Sequence, residues 1–189
     1  FLSFIFLILP ARWLIVHSVG SAEPVFIFFI TAALYFFLQF ELSPRPLFIL
    51  LTGIFGMLAQ LTRPPGILLF LALIFYIIWK IITQKGGSLF RRTVSNIIPY
   101  SPLLLIPLAL LGVFYLFSFA YHDFFAYFHS GDNIHLTFPP FQVFNQNQFW
   151  VGNIWLEDIV YIFILGFLGG LMLFKQKLYP LAFFVLTYI

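Results

Sequence analysis

The strongest constraint on this chain is that long stretches without a charge follow one another along it. Pro24 to Phe40, Leu47 to Leu61, Ile97 to Tyr121 and Ile159 to Phe174 contain no Asp, Glu, Lys or Arg, and Gly66 to Ile82 contains only Lys80. A helix that crosses a bilayer needs roughly 20 mainly apolar residues, with about 17 to 25 tolerated. With 62% hydrophobic residues and 8% charged ones, there is too little polar surface to clothe a water-soluble globule. The expected fold class is all-α, a polytopic transmembrane helical bundle. Spans are expected at Phe1 to Val16, at the five runs just named and at Leu178 to Ile189, about six to seven in all. Together they make one transmembrane domain, residues 1–189. The outermost runs are cut by the chain ends, as expected of a piece of a longer polytopic protein. A secretory signal would give one short apolar stretch behind a starting Met, whereas here the runs recur.

Prolines punctuate the pattern. Pro64 and Pro65 forbid a helix from continuing past Leu61, so Leu47 to Leu61 and Gly66 to Ile82 read as a tight or partly re-entrant hairpin. Charges then orient it. Lys and Arg collect on the cytoplasmic side, and the clusters Lys80 to Arg92 and Lys175 to Lys177 are separated by two spans, which puts both on one face. Threading the remaining spans places Arg45 and Glu41 on that inner face. Arg12, Arg63, Glu23, Asp123, Asp132, Glu157 and Asp158 fall on the outer one. The residues suited to chemistry therefore gather outside.

Familiar catalytic signatures are absent. There is no Cys, so no disulfide or thiolate metal site is available, and no GxSxG, Walker, HExxH or nucleic-acid motif occurs. What remains is the outer face itself. Glu23 stands between Ser21, a candidate N-cap, and Pro24 in the first turn, where a carboxylate complements the helix dipole by about 0.3 to 1 kcal/mol. The alternative is that Glu23 orients an acceptor hydroxyl or a metal-bound phosphate at the membrane boundary. Arg63, in "LTRPPG", reads either as a snorkelling anchor or as a planar fork for a phosphate. The segment 122–158 is too long for an idle loop and reads as an extracytoplasmic loop, in part helical. Its aromatics and amides suit either the headgroup layer or a sugar-binding groove. His122, Asp123, His129, Asp132 and His135 are chemically compatible with a divalent metal, but their spacing matches no standard site.

Taken in order, "GSAEPVF" opening one span, "AQLTRPPGILL" opening another and "HDFFAYFHS" opening the long outer segment resemble the PIG-V type of GT-C membrane glycosyltransferase, the GPI mannosyltransferase II group and its bacterial relatives. The family elements fall on Ser21 and Glu23, on Arg63, Pro64 and Gly66, and on Asp123, Phe128 and His129. The chain departs from the pattern at Ala22, between Ser21 and Glu23, and at Phe124, where Pro is usual after the Asp.

The resemblance implies a GT-C-like bundle that transfers a sugar, typically mannose, from a polyprenyl- or dolichyl-phosphate donor to a lipid-linked or glycan acceptor, with inversion. It implies Ser21, Arg63, Asp123 and His129 as substrate-binding residues, with Arg63 at the leaving phosphate, and Glu23 as a supporting catalytic residue. It also implies a catalytic base in the first outer loop, expected ahead of Phe1. It assigns no definite cofactor, and a divalent metal is compatible with it. The partners expected are the bilayer, the lipid-phosphate donor and the acceptor, and no nucleic acid. The membrane would be the plasma membrane in a prokaryote and the endoplasmic reticulum in a eukaryote, with the extracytoplasmic face active. Two other readings stay open: a transporter or lipid flippase gated by Glu23 and Arg63, and another GT-C branch such as a protein O-mannosyltransferase.

Overall fold

The computed structural model describes residues 22–83, 97–129 and 153–189, with the backbone alone for 153–162. Among these residues every regular element is helical: α1 (Glu23–Leu42), α2 (Pro46–Thr62), a 3-10 turn (Pro64–Gly66), α3 (Ile67–Thr83), a 3-10 segment (Ile98–Leu104), α4 (Leu105–Tyr121), α5 (Ala126–His129), α6 (Asn153–Lys175) and α7 (Tyr179–Tyr188). Three continuous helical stretches are long and apolar enough to cross a membrane: Glu23–Leu42, Pro64–Thr83 and Ile98–Tyr121. The all-helical, membrane-compatible reading of the sequence holds at that level. The run Phe1 to Val16 lies outside the described residues, and α6 begins at Asn153, six residues ahead of the expected span start at Ile159.

Prolines set the breaks by a simple mechanism. A residue before Pro is pushed out of the helical region, and Ser43, Arg45 and Arg63, each followed by Pro, are extended at φ/ψ of −143/96, −104/129 and −150/142. Pro46 and Pro64 then open the next elements, where a missing N–H costs nothing. The helix of Leu47 to Leu61 is thus real, and the break at Pro64 and Pro65 takes the form of a single 3-10 turn.

The described residues divide into two compact units: those up to Phe70 together with those in Lys80–Leu110, and those in Leu71–Trp79 together with those in Leu111–Ile189. In the first, α1 and α2 form an antiparallel hairpin. Phe36 stacks on Phe55 (centroids 5.6 Å, planes 6° apart) and on Phe48, while Phe28 meets Phe55 edge-on. On another face of α2, Gly53 and Gly56 let neighbouring backbone and side chains approach. A Cβ on Gly53 would lie 2.3 Å from Pro102 O, and one on Gly56 would lie 2.5 Å from Ile106 Cδ1. Small residues at such seams substitute close van der Waals contact for the hydrophobic drive that lipid does not supply.

In the second unit α6 and α7 pair through the same device, because Cβ atoms at Gly166 and Gly170 would meet Ile189 and Leu186. The connecting turn has Lys177 in the left-handed region at φ 62, with Leu178 N–H donating to Leu173 O and Lys177 N–H to Phe174 O. That is a Schellman cap closed by a lysine instead of the usual glycine. Trp79, Phe174, Tyr179 and Phe183 cluster around it, with Trp79 and Tyr179 centroids 4.2 Å apart.

Candidate functional site

The helix that carries Glu23 begins on that residue. Its N-cap is Ala22, which has no side chain to cap with, and Phe26 N–H donates to Ala22 O. Ser21, expected as the cap and as a substrate ligand, lies outside the described residues. Glu23 therefore stands as a carboxylate in the first turn, where the helix dipole favours a negative charge.

Its partner comes from the end of α2. Arg63, 40 residues away in sequence, donates through Nη1 to Glu23 Oε1. The pairing follows from the hairpin, since an antiparallel α1 and α2 must bring the start of one to the end of the other. Arg63 is held there by its extended backbone ahead of Pro64, and its N–H donates to Ala59 O. The guanidinium and carboxylate side chains are 41% and 34% exposed, a setting in which an ion pair stabilises a fold by only about 0 to 1 kcal/mol. The main consequence of the contact is positional. It fixes a permanent cation, with further N–H donors on its fork, against a carboxylate at one end of the hairpin.

Gly66 seals the turn beside this pair. Its N–H donates to Arg63 O, and a Cβ there would sit 2.5 Å from Gln60 Cα and 2.6 Å from Gln60 N. Only glycine fits so close to the last turn of α2. Gln60 itself, which the sequence reading did not single out, is buried, and its Oε1 has no hydrogen-bond partner among the described residues. Such a group costs about 1 to 3 kcal/mol. The signal in the sequence was an amide inside an otherwise apolar span.

The other sequence-nominated pair is local. Asp123 follows His122, which takes the left-handed conformation (φ 56) as α4 ends. One Asp123 oxygen accepts from Phe125 N–H at 2.9 Å and the other receives His129 Nδ1–H at 2.6 Å. The hydrogen bond from His129 is the first cause that holds the Asp123 carboxyl below its ordinary value. Partial desolvation opposes it, and the Phe125 N–H and the charge of His129 add to it. Phe124, Phe125 and Phe128, aromatics suited either to the headgroup layer or to a sugar-binding groove, gather around Phe114 of α4, with centroids 5.3, 6.2 and 6.0 Å from it. Asp132 and His135 lie outside the described residues, and so do the side chains of Glu157 and Asp158. Among the described residues no group of three or more His, Asp or Glu is placed to hold a metal ion.

At the opposite end of α1 a second polar cluster appears. Glu41 Oε2 receives Lys80 Nζ at 2.5 Å, Tyr100 OH donates to Glu41 Oε1 at 2.6 Å, and Lys80 Nζ lies 3.1 Å from Tyr100 OH. Glu23 and Glu41 are 18 positions apart on one helix, about 27 Å along its axis at 1.5 Å per residue. That separation is close to the hydrocarbon thickness of a bilayer, about 30 Å. The two clusters thus have the spacing of the two membrane boundaries. No protein-family model, curated protein or solved structure matches this chain.

Proposed function

We propose that the chain is part of a membrane glycosyltransferase that transfers a sugar, in the first instance mannose, from a polyprenyl- or dolichyl-phosphate donor to a lipid-linked or glycan acceptor on the extracytoplasmic face. The observation that carries the reading is the meeting of Glu23 and Arg63 at one end of the α1–α2 hairpin. Departure of a lipid phosphate needs a fixed cation, and the acceptor hydroxyl needs a carboxylate to orient it. Arg63 takes the phosphate, with its fork matching two phosphate oxygens. Glu23 orients the acceptor hydroxyl, and its present bond to Arg63 keeps the cation in place until an anion arrives.

Support comes also from where charge is found. Among the described residues of the first unit, the ion pairs Glu23–Arg63 and Glu41–Lys80 sit at the two ends of α1, and α1 carries no charged residue between Glu23 and Glu41, whereas a proton or ion path through a transporter needs charged groups near the midplane. The sequence topology assigns Asp123 and His129 to the same outer face as Glu23, and the resemblance gives them a substrate-binding role. Nucleotide sugars are cytoplasmic, so an outward-facing transferase draws on a lipid-linked donor.

The test is transfer of radiolabelled mannose from polyprenyl-phosphate mannose to lipid acceptors by the reconstituted full-length protein. Arg63→Ala is expected to lower turnover by about 10²- to 10³-fold, and Glu23→Gln by about 10²-fold. Undiminished transfer by both folded variants would remove Glu23 and Arg63 from the site. Failure of the wild type to use any lipid-linked sugar would leave the transporter as the better reading.

A further inference from the structure

Thr52 and Gln60 are the buried polar side chains of the described core, and they are satisfied differently. Thr52 Oγ1 donates to Phe48 O at 2.9 Å, closing on its own helix. Gln60, 4% exposed, leaves Oε1 buried with no partner among the described residues. Gly53, Gly56 and Gln60 recur at helical spacing and so share one face of α2. At Gly53 and Gly56 that face meets Pro102, Leu105, Ile106 and Leu69, all protein. Gln60 is the last member of the stripe. Gly66 lies against its backbone, and Arg63, one turn on, carries the ion pair with Glu23.

We infer that Gln60 is a ligand-binding residue of the Glu23–Arg63 site, with Oε1 accepting a hydrogen bond from a hydroxyl of a sugar carried on a lipid phosphate. The inference rests on the proposed reading of that site. A buried acceptor with no donor of its own favours a ligand that brings one, and disfavours an analogue from which that donor has been removed. Lipid tails bring none. A glycosyl phosphate offers both complements within one headgroup, an anion for Arg63 and hydroxyl donors for Gln60, and these residues stand three positions apart at the end of α2. Gln60 is in this sense a specificity residue, because it distinguishes a sugar-bearing phosphate from a bare one.

The experiment measures binding of polyprenyl-phosphate mannose and its monodeoxy analogues to the full-length protein in lipid nanodiscs, comparing wild type, Gln60→Leu and Arg63→Ala. For the wild type, one monodeoxy analogue is expected to bind about 10-fold more weakly than the parent. Gln60→Leu should bind the parent about 10-fold more weakly than the wild type does, and should no longer distinguish it from that analogue. Its stability to denaturant should equal or exceed that of the wild type, because an unpartnered acceptor has been removed. Equal parent affinity for wild type and Gln60→Leu, with Arg63→Ala impaired, overturns the role of Gln60 and leaves the Glu23–Arg63 reading standing. A destabilised or unfolded Gln60→Leu also overturns it, since Gln60 would then be structural. A wild type that binds neither parent nor analogues overturns the site reading and the inference together.

Discussion

Replacing Gly53 by alanine tests whether α2 and the Ile98–Leu104 segment touch as closely as described. The added methyl would lie 2.3 Å from Pro102 O and 2.9 Å from Pro102 C, well inside the 3.4 Å at which ordinary contact begins. Both obstacles are backbone, so no rotamer change relieves them. Overpacking of this kind costs about 1 to 3 kcal/mol and occasionally more, while Gly→Ala within a helix gains about 0.8 to 1 kcal/mol of propensity. With the clash at the upper end of its range, Gly53→Ala is expected to destabilise the protein by about 2 kcal/mol net. Two other glycines calibrate the result. A Cβ on Gly112 meets nothing within 4 Å, so Gly112→Ala should be neutral or stabilising by up to about 1 kcal/mol. At Gly56 the obstacle is the Ile106 side chain, Cδ1 at 2.5 Å and Cγ1 at 2.8 Å, and not backbone, so Gly56→Ala should fall between them. Reversible unfolding in mixed micelles, followed by circular dichroism against denaturing detergent fraction, ranks the three. Equal stabilities for Gly53→Ala and Gly112→Ala would refute the close approach and with it the packing that positions α2.

Lys80→Met leaves Glu41 charged at 13% exposure and is expected to cost about 2 to 4 kcal/mol, part of which Glu41→Gln in the same chain should recover; additive losses in the same unfolding assay would show that the pair is uncoupled. Single cysteines report sidedness, since the chain has none of its own: Pro44→Cys should react with an impermeant maleimide only from the cytoplasmic side and Pro65→Cys only from the outer side, and labelling of both from one side would break the α1–α2 topology. The Asp123 carboxyl lies below its ordinary value of 3.8, so its bond to His129 contributes fully above that pH and is lost as pH falls through the lower folded value. An NMR titration of the Asp123 carboxyl carbon should show a midpoint under 3.8 that rises in His129→Ala, and an unmoved midpoint would deny the coupling.

How far the sequence speaks for itself differs between residues for physical reasons. The helices were legible because apolar length and proline act locally: Ser43, Arg45 and Arg63, each ahead of a proline, leave helical geometry and mark the breaks. The meeting of Glu23 with Arg63 was half legible. Sidedness by charge put both on one face, but a face is a plane, and only the packing of α1 on α2 through Phe28, Phe36, Phe48 and Phe55 turns it into a contact. Tyr100 was not legible at all, since its hydroxyl finds Glu41 across 59 residues and nothing in "IIPYSPLL" separates it from the other tyrosines at helix ends.

Glu41 shows how the two kinds of information combine. By charge count it was the lone carboxylate on a basic face, which in sequence terms looks like a residue with many suitors and no particular one. The structure gives it Lys80 and Tyr100 at once, on both carboxylate oxygens, at the end of α1 remote from Glu23. A rod fastened at one boundary transmits any axial slip to the other, because a helix is stiff along its length and rises about 1.5 Å per residue. Glu23 can hold its place beside Arg63 only if α1 does not slide, and a weak, half-exposed ion pair cannot by itself prevent that. The Glu41–Lys80–Tyr100 cluster is the more buried of the two attachments, and together with the packing of Phe28, Phe36, Phe48 and Phe55 it holds the register in which the candidate site is presented.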